Sequence, residues 1–372
     1  PYNDANDVGN FLWGSKTNPG VGVEKWAQSA LQKRGDWFFR TADWRVVVYS
    51  ATNPATEFPG LELAIDRDIV EISNLGASYA YLQHFALLFG AGCGINGNGA
   101  NASNLTFRDL DISYIGGGNL GGSGVRYGNG IQFWRNAHDN LVERNRIWQI
   151  FDSGLTNQGI GTKLVQHHIT YRNNVLWNMA TSFEMWLGPS DSGAGSTMHD
   201  IYVLNNTAVN PGGWGANQRT IGHGAAFALY IGSSTGVAVS NIVFKNNVFA
   251  YFPNNAIVEG QSFSMWKGKM TVDYNDWLHA VTPAKVHQWL PTSLDEPLSL
   301  WAANFPAEQH GIEADPGFVN LGTGDFHLAT GSPLINAGAN LISAGVVLDF
   351  ERNPRPASGA FDIGAFQHLS AP

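Results

Sequence analysis

The sequence predicts an all-β chain wound into parallel coils that stack on one another. Three observations predict it: a short unit recurs along the middle of the chain, its residues alternate apolar and polar, and the units are spaced like coils rather than hairpins. Aligned, the units read VERNRIWQI, TYRNNVLWN, YVLNNTAVN, VFKNNVFAY and VDYNDWLHA. Their shared column holds Asn145, Asn173, Asn205, Asn246 and Asn275, which lie 28, 32, 41 and 29 residues apart. One unit earlier, LTFRDLDIS has Leu110 in that column.

Each element follows from these units. The alternation reads as strand, because only a period of two puts successive side chains on opposite faces. The unequal spacing suits coils whose loops vary in length, with no helix needed to connect them. Asparagine suits the bend between successive strands, since it tolerates a left-handed backbone and bonds neighbouring main chain. Stacked coil on coil, such amides can bond one another along the axis. Ahead of the coils, residues 1–60 form an N-terminal hairpin and capping segment. Within it, VEKWAQSALQKRG (23–35) places Val23, Trp26, Ala27, Ala30 and Leu31 at helical spacing and predicts a capping helix. The coils occupy 61–278. Residues 279–372 form a C-terminal cap and closing strands, and Pro283, Pro291, Pro297 and Pro306 break the repeat at its start.

Composition narrows the partners. Only 14% of residues are charged, while glycine reaches 44 copies and aromatics 12%, so the chain has ample core material and is neither disordered nor a coiled coil. A formal net charge of −9 argues against nucleic acid or an anionic membrane as a partner. No apolar run reaches 18 residues, so no membrane-spanning helix is expected. Cys93 is the single cysteine, which excludes an internal disulfide and zinc sites of the cysteine type. The first residues, PYNDANDVG, show no signal-peptide pattern and read as a mature or trimmed terminus.

Registering the strand after each unit gives a candidate face. GIQFW, GLTNQ, SFEMW and AFALY turn Ile131, Phe133, Leu155, Phe183, Met185, Phe227 and Leu229 inward. They turn Gln132, Thr156, Glu184 and Ala228 outward in one row, and Trp134, Gln158, Trp186 and Tyr230 outward in a second. Three loops longer than a coil requires border this face: 113–129, 188–200 and 210–224. Glu184 stands alone there among outward aromatics. A row of exposed aromatic rings suggests a ligand, and indole stacks on the C–H faces of sugars, so a glycan is expected. The alternative is that the loops fold over these rings as a satellite core. Glycoside hydrolysis commonly needs two carboxylates. Asp152 in FDSG and Asp191 in PSDSG are the candidate partners of Glu184, although an aspartate before Ser-Gly also reads as a turn former. Gln132, Gln158, Arg126, Tyr127, His223 and Arg219 complete the expected substrate-binding set. Arg126, Tyr127, His223 and Arg219 also offer the base and carboxylate-neutralising groups of a β-elimination. No cofactor or metal is expected: His167 and His168, being adjacent, should point to opposite faces of a strand, and no EF-hand or dinucleotide motif occurs.

Over residues 60 to 275, these units resemble the right-handed parallel β-helix proteins of the pectate-lyase-like superfamily. The stretches DPGFVNLGTGDFHLATGSPLINAG (315–338) and LDFERNPRPASGAFDIGAFQ (348–367) look like the closing segment of secreted bacterial members. GDWFFRTADWRVVVYS (35–50) looks like the hairpin that often precedes the helix. The resemblance implies a single right-handed parallel β-helix and an extracellular, secreted protein. It also implies a polysaccharide lyase, glycoside hydrolase or epimerase, or a non-catalytic glycan-binding relative. The Gly-His-Gly around His223 also occurs in polygalacturonases, but the accompanying Asn-Thr-Asp, paired aspartate and Arg-Ile-Lys motifs are absent, as is the epimerase signature Tyr-Gly-x-Asp-Pro-His. The expectation is a polysaccharide- or oligosaccharide-cleaving enzyme, a hydrolase using Glu184 with Asp152 or Asp191. The alternatives are a lyase acting on a uronic-acid-containing glycan and a binding protein without catalysis.

Overall fold

Residues that accept a left-handed backbone shape every coil. The computed structural model describes residues 27–34, 36–40, 42–43, 45–57, 67–73, 78–100, 102–117, 127–187, 195–213, 225–231, 237–253, 257–259, 268–280, 298–299 and 307–369. Within them, positive φ recurs in columns. Asp109, Arg144, Asn173, Asn205, Asn246 and Tyr274 lie between 51° and 61°, and Tyr114, Gln149, Asn178, Asn210 and Tyr251 between 53° and 61°. A further column, Asn104, Asp139, His168, Asp200 and Asn241, lies between 50° and 56°. A single left-handed residue turns a strand without reversing it, so the chain continues round instead of folding back.

The strands accordingly pair with those one coil before and after. A first arm holds Tyr81–Gln83, Thr106–Arg108, His138–Glu143, Val165–Arg172, Thr197–Leu204, Ala238–Lys245 and Met270–Asp273, hydrogen-bonded in chain order. Twelve further strands form a sheet that bends along its length, and Arg146–Gly159 and Val175–Leu187 run through the bend. Its second arm includes Asp111–Ile115, Thr207–Val209, Val248–Phe252 and Asp276–His279. Its third arm includes Ile95–Asn98, Ile131–Trp134, Ala225–Ile231 and Ile257–Glu259. All pairings within these two sheets are parallel among the described residues. The chain is therefore all-β with long parallel sheets, an arrangement compatible with a β-solenoid.

The asparagine column is real but split between neighbours. The amides that bond along the axis belong to Asn145, Asn174, Asn206, Asn247 and Asn275, all buried. Asn145 Nδ2 donates to Asn174 Oδ1 at 2.9 Å, Asn174 to Asn206 at 2.9 Å, Asn206 to Asn247 at 3.0 Å and Asn247 to Asn275 at 2.8 Å. Each Oδ1 also takes the backbone N–H of the asparagine one coil earlier. Asn173, Asn205 and Asn246, aligned with Asn145 by sequence, are instead the left-handed residues one position before the ladder. In an Asn-Asn doublet the first asparagine bends the chain and the second carries the ladder, while Asn246 Nδ2 also donates to Asn205 Oδ1 at 3.2 Å. Leu110 does occupy the ladder column, and its N–H closes that end by donating to Asn145 Oδ1 at 3.0 Å.

Glu308 closes the other end. Its Oε1 accepts from Asn275 Nδ2 at 2.6 Å and from Trp277 Nε1 at 2.8 Å, and its Oε2 accepts from Asn275 N at 3.2 Å. Burial raises its carboxyl from the ordinary 4.5 to about 8, outweighing the donors that favour the charged form. Buried Asp276 nearby is also raised, again chiefly by burial.

Inward stacks fill the coils. Ile112, Ile147, Leu176, Ala208, Phe249 and Trp277 follow one another in register along the second arm, and Phe107, Val142, Tyr171, Val203, Phe244 and Val272 along the first. Ile131, Phe133, Leu155, Phe183 and Met185 point inward on the third arm, as their alternation requires. Phe227 and Leu229 continue its register.

Residues 307–369 do more than close the end. The stretch from Phe318 onward packs along the outside of the coils, with Phe326 and Phe366 against Val175, Trp177 and Val209, and Phe361 against Leu204. The bend asparagines hold it there. Asn173 Nδ2 donates to Leu348 O at 2.8 Å, Asn205 Nδ2 to Asp362 O and Gly364 O at 3.0 Å each, and Asn246 Nδ2 to Ala339 O at 2.8 Å. Near the N-terminus, Trp37–Arg40 and Arg45–Val48 form the expected antiparallel hairpin. Of the expected capping helix, the described part is a 3-10 turn, Gln28–Ala30, with no buried residue. Residues 1–26, including Val23 and Trp26, lie outside the described residues.

Two outcomes test this account. Asn206→Leu leaves several buried donors and acceptors unmade at mid-ladder, so denaturant unfolding should show a loss of about 3 kcal/mol or more; a loss under about 1 kcal/mol would remove the ladder from its central role. Glu308 has its pKa raised in the folded state, so its contribution is full below about 4.5 and is lost as pH rises through about 8. The urea midpoint should therefore fall across that window, and Glu308→Gln should make the fall shallower.

Candidate functional site

The outer face of the third arm carries the expected rows. Asn96, Gln132, Thr156, Glu184 and Ala228 are in register along it, and so are Asn98, Trp134, Gln158, Trp186 and Tyr230. The corner that starts this arm is unusually tight. A Cβ on Gly94 would lie 2.6 Å from Gly130 O, and one on Gly130 would lie 2.5 Å from Gly154 O, so stacked coils approach here too closely for any side chain. The residues immediately before these glycines, Cys93, Asn129 and Ser153, are thereby brought beside the outward row.

Asparagine, glutamine and serine then link the face into one hydrogen-bonded chain. Asp68 Oδ1 accepts from Cys93 N at 2.7 Å and Oδ2 from Asn96 Nδ2 at 2.8 Å. Gln132 Nε2 donates to Asn96 Oδ1 at 3.1 Å, and Asn129 Nδ2 to Gln132 Oε1 at 2.7 Å. Ser153 N donates to Asn129 Oδ1 at 3.0 Å. Glu184 Oε2 accepts from Ser153 Oγ and from Gln158 Nε2, each at 2.7 Å. Glu184 is thus not a solitary surface charge; it is 8% exposed and belongs to a polar network.

Asp152 reaches the same hydroxyl. The strand Arg146–Gly159 carries one more residue than its partner between Ile150 and Ser153, a β-bulge. Asp152 sits in that bulge, buried in a continuous strand rather than in a turn. Ser153 Oγ lies 3.5 Å from Asp152 Oδ1 as well as 2.7 Å from Glu184 Oε2. The two carboxylate oxygens therefore lie no farther apart than those two distances placed end to end. Asp152 precedes Thr156, the register partner of Glu184, by four residues, and the two side chains meet at Ser153 where the bulge interrupts the regular register.

The aromatic pair is half-buried rather than open. Strands two coils apart are separated by about 9.6 Å, yet the rings of Trp134 and Trp186 stack with centroids 6.0 Å apart at 29°. Both rings lean together across Gln158, whose amide holds Glu184. Tyr127 is half-buried at the edge of the face, and its carbonyl accepts from Gly117 N at 2.8 Å. Arg126, Asp191, Arg219 and His223 lie outside the described residues, and of Tyr230 only the backbone register is described.

Ser153, Asn129, Asn96 and Asp68 were not anticipated. For Asn129 and Ser153 the signal was the residue-Gly pair that precedes three successive third-arm stretches, GCGI, GNGI and DSGL. A second departure lies on the first arm. His167 and His168 do not point to opposite faces, because His168 is left-handed at φ 52° and its Nδ1 lies 2.7 Å from that of His167. Compared with known proteins, the chain matches no family model and no curated protein.

Proposed function

We propose that the chain is a right-handed parallel β-helix of the pectate-lyase-like type, secreted by a bacterium, and that the third-arm face cleaves a polysaccharide or oligosaccharide by hydrolysis. One observation carries the reading: Asp152 and Glu184 share the Ser153 hydroxyl beside a stacked tryptophan pair. Paired carboxyl groups about 5–5.5 Å apart suit retention of configuration, whereas inversion needs about 6.5–9.5 Å to admit a water. The short path through Ser153 favours retention. Two donors aimed at Glu184 Oε2 stabilise negative charge there, which suits a nucleophile. Asp152 is then the acid that protonates the departing glycosidic oxygen and afterwards the base that activates water. Trp134 and Trp186 give the sugar ring an apolar wall, while Gln132, Gln158 and Tyr127 edge it. No metal or cofactor enters this scheme.

Screening the protein against a panel of polysaccharides should identify a substrate by the release of reducing ends. On that substrate, Glu184→Gln should lower kcat by about a thousandfold or more while binding persists. Hydrolysis unaffected by Glu184→Gln would remove this site from the chemistry. Products absorbing near 235 nm, the mark of an unsaturated uronide, would replace hydrolysis with elimination.

A further inference from the structure

The first arm carries a separate concentration of ligand-type side chains. Three neighbouring strands each bring a histidine to the same outward position: His138 pairs with His167, and His167 with His199. Their rings stack, with centroids 4.7 and 5.1 Å apart. The residue after each histidine is left-handed, with φ of 54° at Asp139, 52° at His168 and 56° at Asp200. A left-handed turn swings that next side chain back beside its neighbour instead of through the sheet. His199 Nδ1 consequently lies 2.6 Å from Asp200 Oδ2, and His168 Nε2 lies 3.7 Å from the same oxygen. His168, His199 and Asp200 each offer one ligand atom, all within 4.8 Å of one another, and His138, Asp139 and His167 repeat the arrangement one step along.

We infer that His168, His199 and Asp200, with His167 alongside, form a binding site for a divalent transition-metal ion of the zinc, copper and nickel class. Imidazole nitrogens select that class over calcium or magnesium, which prefer oxygen ligands throughout. Around a tetrahedral ion with bonds of about 2.0–2.1 Å, ligand atoms stand roughly 3.3 Å apart. Ring rotation of half-exposed histidines on fixed strands covers the remaining distance. The carboxylate is already oriented, because Asn241 Nδ2 donates to Asp200 Oδ1 while also bonding Tyr202 Oη at 2.9 Å. Outer contacts of this kind fix a ligand's direction in metal sites. His168 is exposed enough to admit an ion from solvent, with 55% of its side chain accessible.

The test is calorimetric titration of the full chain, without a histidine tag, with zinc chloride, together with electron paramagnetic resonance of the copper-loaded protein. Zinc should bind with micromolar Kd, and the copper spectrum should show at least two coordinated nitrogens. His199→Ala and His168→Ala should each weaken zinc about tenfold or more with unchanged circular dichroism, while His84→Ala, an exposed histidine elsewhere, should leave Kd as it was. No zinc binding below millimolar concentration would overturn the inference. So would equal loss in His84→Ala, or a copper spectrum with fewer than two nitrogens. Because His168 and His199 lie on the first arm, none of these outcomes depends on the third-arm site.

Discussion

The hydrogen-bonded file of buried asparagine amides is the constraint to which the coils answer. Each amide in the interior of the file donates to a backbone carbonyl of the earlier coil and to the next amide, and accepts two N–H groups from the amide before it, so five side chains settle the polar groups that the corner between first and second arms would leave unmet. Such a file demands that successive coils keep one register at that corner. With the register fixed there, each apolar residue falls on its like one coil away, and the inward stacks follow. The left-handed residue just before the file supplies the corner itself. Where that residue is asparagine, its side chain is free to hold the C-terminal segment against the coils.

The same logic explains why polar chemistry gathers on the third arm. A corner made of stacked glycines, with no left-handed asparagine, leaves no room for a Cβ between successive coils. Side chains on either side of that corner are pressed into mutual contact, and a row of amides and hydroxyls joins Asp68 to Glu184 across several coils. The bulge at Asp152 adds an acid to the end of this row that a regular strand would have turned elsewhere.

Much of this was legible in the sequence. Alternation of period two placed Gln132, Glu184, Trp134 and Trp186 on one face, because nothing interrupts the strands that carry them. The doublets Asn173-Asn174, Asn205-Asn206 and Asn246-Asn247 were ambiguous by one position: both members are asparagine, and only packing decides which one bends. The role of Ser153 was hidden for the opposite reason, since the bulge breaks the period just before it. At His167-His168 the period failed again, because a left-handed residue cancels the alternation on which opposite faces depend. The sequence signs AHDN, QHHI and MHDI were present, but they read correctly only once the left-handed backbone at their third letter is known.

The amide file also has a direction. In every amide-to-amide bond of the file the N–H points toward the later coil, so the column is polar, beginning at the N–H of Leu110 and ending at the carboxyl of Glu308. The two terminators are chemically different and cannot exchange places. An extra coil bearing its own asparagine could enter anywhere between them without disturbing either, because it would accept from behind and donate ahead as its neighbours do. Gene duplication within the repeat could therefore lengthen this protein by whole turns, while its ends stayed the same.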